Sequence, residues 1–253
     1  MISLQNISKQ FGRFKVLTDV SFSCNKGECI ALIGPNGSGK TTIIKSILGM
    51  VIPDSGTITF KGKSIANDYN YRSDIGYMPQ MGRYPENMSI GQVLGMMKDI
   101  RKIPENLLDE DLIKSFGINK LLDKRMGTLS GGTRQKVSAC LAFMFGSQAL
   151  IMDEPSAGLD PVSSEILREK ILVEKEKNKL VIITSHILSE LDDLITEVIY
   201  MQDGRMLFQK SLHALRKDTG EEKLSRAIAR VMRQQDESDG LQAARVNTSE
   251  LRN

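Results

Sequence analysis

Cysteine, histidine and long apolar runs are all scarce in this chain. Its three cysteines, Cys24, Cys29 and Cys140, sit in apolar-periodic segments with no CxxC and no metal-ligand spacing. That pattern argues against metal or redox chemistry and for buried thiols that act as small hydrophobes. No stretch approaches the roughly 20 apolar residues that a membrane span needs. The opening Met1-Ile2-Ser3-Leu4-Gln5 leads into a strand-like alternation, not a basic-then-apolar secretory signal. The expected location is therefore the cytosol, with any membrane link made through a partner. Charge of one sign is also lacking: Lys+Arg number 34 and Asp+Glu 31, a net +3. No general case for nucleic acid follows from that balance. Internal repeats are absent, so one copy of a single unit is expected. A length of 253 residues suits one large α/β domain, or such a domain with an inserted subdomain.

What the chain does have begins at Gly34-Pro35-Asn36-Gly37-Ser38-Gly39-Lys40-Thr41. An apolar run, Cys29 to Ile33, precedes it, and a helical-looking segment from Thr42 follows. Strand, glycine-rich turn and helix form the context in which G-x-x-x-x-G-K-[ST] becomes a phosphate-binding loop. Glycines let backbone N–H groups converge on an anion, and a helix N-terminus adds partial positive charge there. Lys40 would reach the β- and γ-phosphates, and the Thr41 hydroxyl would ligate Mg²⁺.

Taken in order, residues 2–9 and 15–24 alternate as antiparallel strands with one buried face, the second inward at Val16, Val20, Phe22 and Cys24. The aromatic loop between them includes Phe11. As a residue type it belongs more often to a core than to a base-stacking platform. Thr57 to Phe60 is a strand, and Ile75 to Pro79 is another that delivers Gln80. From Met81 to Ser147 helices take over. Ser89 and Gln92 form a capping box, and Ile90, Val93, Leu94 and Met97 give a helical stripe. Methionines 81, 88, 96 and 97 read as gap-filling in a core more than as a docking surface.

Leu129-Ser130-Gly131-Gly132 opens a further helix that buries Val137, Cys140, Leu141 and Met144. A serine and two glycines at a helix start read as an anion nest, because a plain N-cap does not need two glycines. Ala149 to Met152 is a buried strand running into Asp153-Glu154. Carboxylates at the C-terminal end of such a strand stand where α/β sheets place ligands. One would hold Mg²⁺ and the other would orient or deprotonate a water. Asp160-Pro161 reads as N-cap and N1 of a helix over 161–177. A buried strand, Leu180 to Thr184, ends at Ser185-His186, whereas His213 suits the surface. Asp203-Gly204 turns a hairpin over 198–209. A helix is expected over 222–233, and disorder over the last twenty residues.

The order of these features resembles the ATP-binding cassette family over residues 1–215. The resemblance implies an α/β P-loop NTPase (RecA-like) core with an antiparallel β subdomain and an inserted α-helical subdomain. Its parts would be residues 1–80 and 148–215 for the core, 81–147 for the helical subdomain, and 216–253 for a C-terminal helix and tail. It also implies two cassettes that sandwich two ATP molecules head to tail. Phe11 would stack on adenine, and Asn36, Gly37, Gly39, Lys40, Thr41 and Thr42 would hold phosphate. Thr41, Gln80 and Asp153 would serve Mg²⁺, Glu154 would polarise the attacking water, and His186 would meet the γ-phosphate. Ser130, Gly131 and Gly132 would close the partner's site, with Asp160 across the interface. Two positions depart from the family pattern: Thr133 replaces a usual Gln, and Phe11 replaces a usual Tyr.

Within the family, a single cassette without a span resembles the ATPase subunit of a bacterial transporter whose permease is a separate chain. That implies a peripheral place on the cytoplasmic face of the inner membrane. Soluble cassettes that act on ribosomes or nucleic acid resemble tandem cassettes, or chains with coiled-coil insertions or zinc-binding cysteines, none of which is present. A kinase or GTPase of another P-loop class would leave Leu129 to Gly132 unexplained. The short region after His186 resembles ATPases of export-type permeases. Residues 77–89 further resemble the ATPases of copper-site maturation in nitrous oxide reductase.

Overall fold

A computed structural model of the chain describes residues 1–233; the disorder expected of the last twenty lies outside them. Two sheets organise the molecule. The first is antiparallel, order β2-β1-β4-β5, built from β1 (Ile2–Phe11), β2 (Phe14–Cys24), β4 (Ser55–Phe60) and the short β5 (Lys63–Ser64). The second runs β10-β9-β3-β8-β7-β6. Its parallel strands are β6 (Ile75–Met78), β7 (Ala149–Asp153), β8 (Leu180–Thr184), β3 (Cys29–Ile33) and β9 (Glu197–Gln202). β10 (Arg205–Ser211) adds antiparallel to β9 through the Asp203-Gly204 turn, both residues of which have positive φ. This mixed α/β architecture, a parallel core sheet with an antiparallel β subdomain, is the one that the resemblance implies.

Every residue of β3, β7 and β8 is buried, as parallel strands covered on both faces require. Their two-residue period divides them between two apolar layers. Cys29, Ala31 and Ile33 join the layer on the helical side, and Ile30 and Leu32 join the layer shared with the antiparallel sheet. Into that second layer α1 (Lys40–Ile47) packs Ile43, Ile44 and Ile47. All three cysteines are buried, and desolvation pushes the Cys29 and Cys140 thiols up to about 12.

Between β6 and β7 the chain forms α2 (Ile90–Arg101), α3 (Asp111–Ser115) and α4 (Gly131–Phe143). α2 starts with the full Ser89–Gln92 capping box and buries Ile90, Val93 and Leu94. Met81, expected as core filler, is instead 71 % exposed. After β7 comes α5 (Pro161–Glu176), then α6 (Leu212–Thr219), and a final helix that begins at 224 and reaches at least 233. Among the described residues no helix is long and apolar enough to cross a membrane.

The alternation read in β2 slips by one residue. Leu17, not Val16, is buried, and Val20, Phe22 and Cys24 follow it inward. Asp19 sits at φ 52° inside the strand and the pairing with β1 is irregular there. An extra residue at such a bulge reverses which side chains face the core.

One buried ionic cluster ties α5 to the helices inserted after β6. Lys170 Nζ donates to Asp109 (2.5 Å), just ahead of α3, and to Asp111 (2.9 Å), its first residue. Glu174, one turn on, takes Lys177 at 2.7 Å and also Lys179. Burial pulls the Lys170 ammonium down, but the two aspartates outweigh it and hold the group above its ordinary value. Replacing it strands Asp109 in a half-buried place. Lys170→Met is expected to lose about 2 kcal/mol in urea unfolding, because removing one partner of a buried pair leaves the other uncompensated. Unchanged stability would mean that the cluster contributes nothing net.

Candidate active site

The end of β3 sets the site. Gly34 (φ 149°) leaves the strand so close to β9 that a Cβ there would lie 2.0 Å from the Met201 carbonyl oxygen. Gly39 (φ 100°) starts α1, and a Cβ on it would lie 2.6 Å from Leu17 Cδ2. Only glycine combines these dihedrals with that proximity. Lys40 folds back over the loop and donates to the Gly34 (2.7 Å) and Pro35 (3.0 Å) carbonyls. Desolvation lowers its ammonium below the usual range, against the opposing pull of Glu154 and Asp153. A partly desolvated lysine amid carbonyls that an anion would displace is a fitting phosphate ligand.

The end of β7 delivers the acids, and β8 holds them. Asp153, last in β7, is buried, and its Oδ1 accepts from Thr184 Oγ1 at 2.5 Å. Its Oδ2 accepts a long bond from Thr41 Oγ1 at 3.5 Å, which joins the acid to α1. Glu154 then turns to φ 51°, a left-handed conformation that costs a non-glycine residue about 1–2 kcal/mol. Its N–H is held by the Thr184 carbonyl (3.1 Å) and Oγ1 (3.0 Å). Strain kept in place by such bonds belongs where a side chain must be aimed. The Glu154 carboxylate accepts from Gln80 Nε2 at 3.2 Å and lies 2.5 Å from His186 Nε2.

A cavity of about 400 Å³ collects these groups: Asn36, Gly37, Gly39, Lys40, Thr41 and Thr42 from the loop side, and Gln80, Asp153, Glu154 and His186 from the strand ends. Three sets of sequence-derived residues lie elsewhere. Phe11 does not line the cavity and is 48 % exposed, which overturns the expectation that its residue type belongs in a core. It pairs in register with Phe14, with Lys9 Nζ 5.4 Å from its ring. Ser130 caps α4 and accepts from the Thr133 N–H at 3.2 Å, and with Gly131 it faces solvent. Asp160 caps α5, and Lys136 (2.9 Å), with Ser163, holds its carboxyl well below the usual range.

Two members were missed by sequence reasoning. Val16 lines the cavity because the bulge in β2 turns it outward. Thr184 orients both acids, and the only signal for it was a hydroxyl ending an otherwise apolar strand.

A phosphate loop opening a helix after β3, with an acidic pair at the end of β7 one strand away across β8, defines an NTP-hydrolysing P-loop protein. Residues 17–157 match the ABC transporter family, more than half of the chain. Over 222 residues it is 34% identical to the Nod factor export ATP-binding protein I of Rhizobium sp. (strain N33), covering 85% of this chain and 72% of that one. Over 227 residues it is 32% identical to the ABC transporter ATP-binding protein NatA of Bacillus subtilis (strain 168), covering 85% and 91%. A solved ATP-binding subunit of an ABC transporter superposes with a TM-score of 0.85 at 27% identity, over 92% of this chain and 99% of that one. This chain belongs to the ABC transporter family, and it is an ATP-binding cassette that hydrolyses ATP.

Proposed function

We propose that the chain is the ATPase subunit of a bacterial ABC transporter, closing head to tail with a second copy on ATP to drive a separate permease. One observation carries the reading: the catalytic cavity is half built. Lys40, Thr41, Gln80, Asp153, Glu154 and His186 converge, while Ser130 and Gly131 stand exposed away from that cavity. An exposed glycine-rich helix start suits an anion that a partner holds. In this reading Phe11 stacks on adenine and Asp160 lies near the interface.

Glu154, fixed by Thr184 and Gln80, polarises water toward the γ-phosphate, and His186 steadies the same carboxylate. Phosphoryl transfer needs positioning and charge neutralisation more than covalent help. Mg²⁺ fits the oxygen donors Thr41, Asp153 and Gln80. Among the described residues no cluster of three or more His, Cys, Asp or Glu could hold a metal alone. So sparse a set suits an ion that keeps waters and phosphate oxygens. Bound there, Mg²⁺ supplies neutralisation of the phosphate charge.

An export-type permease is supported by a relative named for Nod factor export. Copper-site assembly of nitrous oxide reductase, as the process served, rests on the likeness of residues 77–89 alone. The place of the chain would be the cytoplasmic face of the inner membrane. Gentle detergent extraction from native membranes, followed by mass spectrometry, tests the proposal. A polytopic permease should co-purify. Recovery with ribosomes or nucleic-acid proteins alone would overturn the transporter reading.

A further inference from the structure

The segment after Glu154 folds through two turns, Ala157 N–H to Glu154 O (3.1 Å) and Leu159 N–H to Ser156 O (3.0 Å), and is tied to other elements at three points. Pro155 O accepts from Gln135 Nε2 of α4 at 3.4 Å. Gly158 presses on α4 so closely that a Cβ on Gly132 would lie 2.6 Å from its carbonyl oxygen. The third point is Ser156, whose Oγ donates to Glu190 Oε2 at 2.6 Å. Beneath the segment is a hollow of about 640 Å³, walled by Ala157, Leu159, Leu167, Ile183, Leu191 and Leu194.

Glu190 itself stands on firm ground. Its turn, Leu188–Glu190, follows His186, and the next residue, Leu191, is 2 % exposed. Asp192 then accepts from the Leu224 N–H at 2.8 Å and pairs with Arg216 at 3.2 Å, which anchors the turn to α6 and the final helix. The Ser156–Glu190 bond, itself exposed, therefore joins a turn whose next residues are anchored to a loop beside an open cleft.

We infer that Glu190 is a positioning residue: through Ser156 it sets the loop 155–159 that links the acid Glu154 to the Ser130–Gly132 start of α4. The inference rests on the composite-site reading. In a head-to-tail pair, this loop would register each chain's own acid with the glycines it offers to its partner. Losing the tether would spoil the geometry of reaction and leave nucleotide capture alone, because neither Glu190 nor Ser156 lines the phosphate cavity.

The test is steady-state ATPase kinetics on full-length Glu190→Ala, Glu190→Gln, Ser156→Ala and the double variant Glu190→Ala/Ser156→Ala. Expected is a fall in kcat of about tenfold for either alanine variant, the order of one charge-assisted hydrogen bond. KM should stay within about twofold. Glu190→Gln keeps an acceptor oxygen and should recover most of the loss. The double variant should be no worse than either single, as for two ends of one interaction. The proposal is overturned if kcat in Glu190→Ala stays near wild type, if the two losses multiply, or if glutamine rescues nothing. Glu190→Ala at wild-type rate beside an inactive Ser130→Arg would remove the tether and leave the composite site. A fully active Ser130→Arg beside a slowed Glu190→Ala would remove the composite site and leave an effect on Glu154.

Discussion

Glu154→Gln keeps ATP binding and lowers turnover by about three orders of magnitude, within the range for removing a general base. The substitution changes one oxygen to an amide nitrogen and little else. Glutamine can hold the same φ of 51°, and the backbone N–H keeps both of its Thr184 partners. Lys40 retains the Gly34 and Pro35 carbonyls, so the phosphate loop is undisturbed. What is lost is the negative charge that draws a proton from the attacking water. A pair that closes on ATP and fails to hydrolyse it stays closed. Phosphate release should therefore vanish while gel filtration with ATP shows a dimer that the wild type does not accumulate. Normal turnover would end the role given to Glu154.

Ser130→Arg is the second large effect, and it acts on the other side of the proposed interface. Within one chain the change removes the N-cap of α4, a loss of about 1 kcal/mol that a helix with eight buried positions absorbs. The cavity that captures nucleotide includes no residue from 129–133, so affinity for a fluorescent ATP analogue should be unchanged. A long cation in place of a small hydroxyl would fill the space that the partner's γ-phosphate must enter. Turnover should fall by at least about 100-fold, comparable to losing a donor aimed at developing charge. Unchanged ATPase activity would show that each chain hydrolyses alone.

The fold class was legible because its signals are local. Strand-turn-helix around Gly34 to Thr41, Ser89–Gln92, Asp160-Pro161 and Asp203-Gly204 are short patterns whose geometry follows from neighbouring residues, and each element stands in the structure. The candidate cavity was legible in its membership by the same route, since its loop and strand-end residues are adjacent in sequence to apolar strands. Illegible were features set by distant partners. The bulge at Asp19 turned Val16 toward the cavity, and its cause lies in pairing with β1. Thr184 gained its place from β7 beside it, and Glu190 from Ser156, 34 positions away. Asp160 read as a helix cap, with nothing nearby to announce Lys136.

The packing of the phosphate loop against β9 changes what a deep mutational scan of this chain would mean. Gly34 is intolerant of any side chain because of the Met201 carbonyl, and Gly39 because of its φ of 100° beside the Val16 carbonyl, whether or not nucleotide is ever present. Selection for folded protein alone would already deplete both positions. Lys40 differs: it bonds only to carbonyls of its own loop, so selection for abundance should spare substitutions there and selection for ATPase activity should remove them. The gap between the two selections, position by position, separates residues that shape the loop from residues that grip the phosphate.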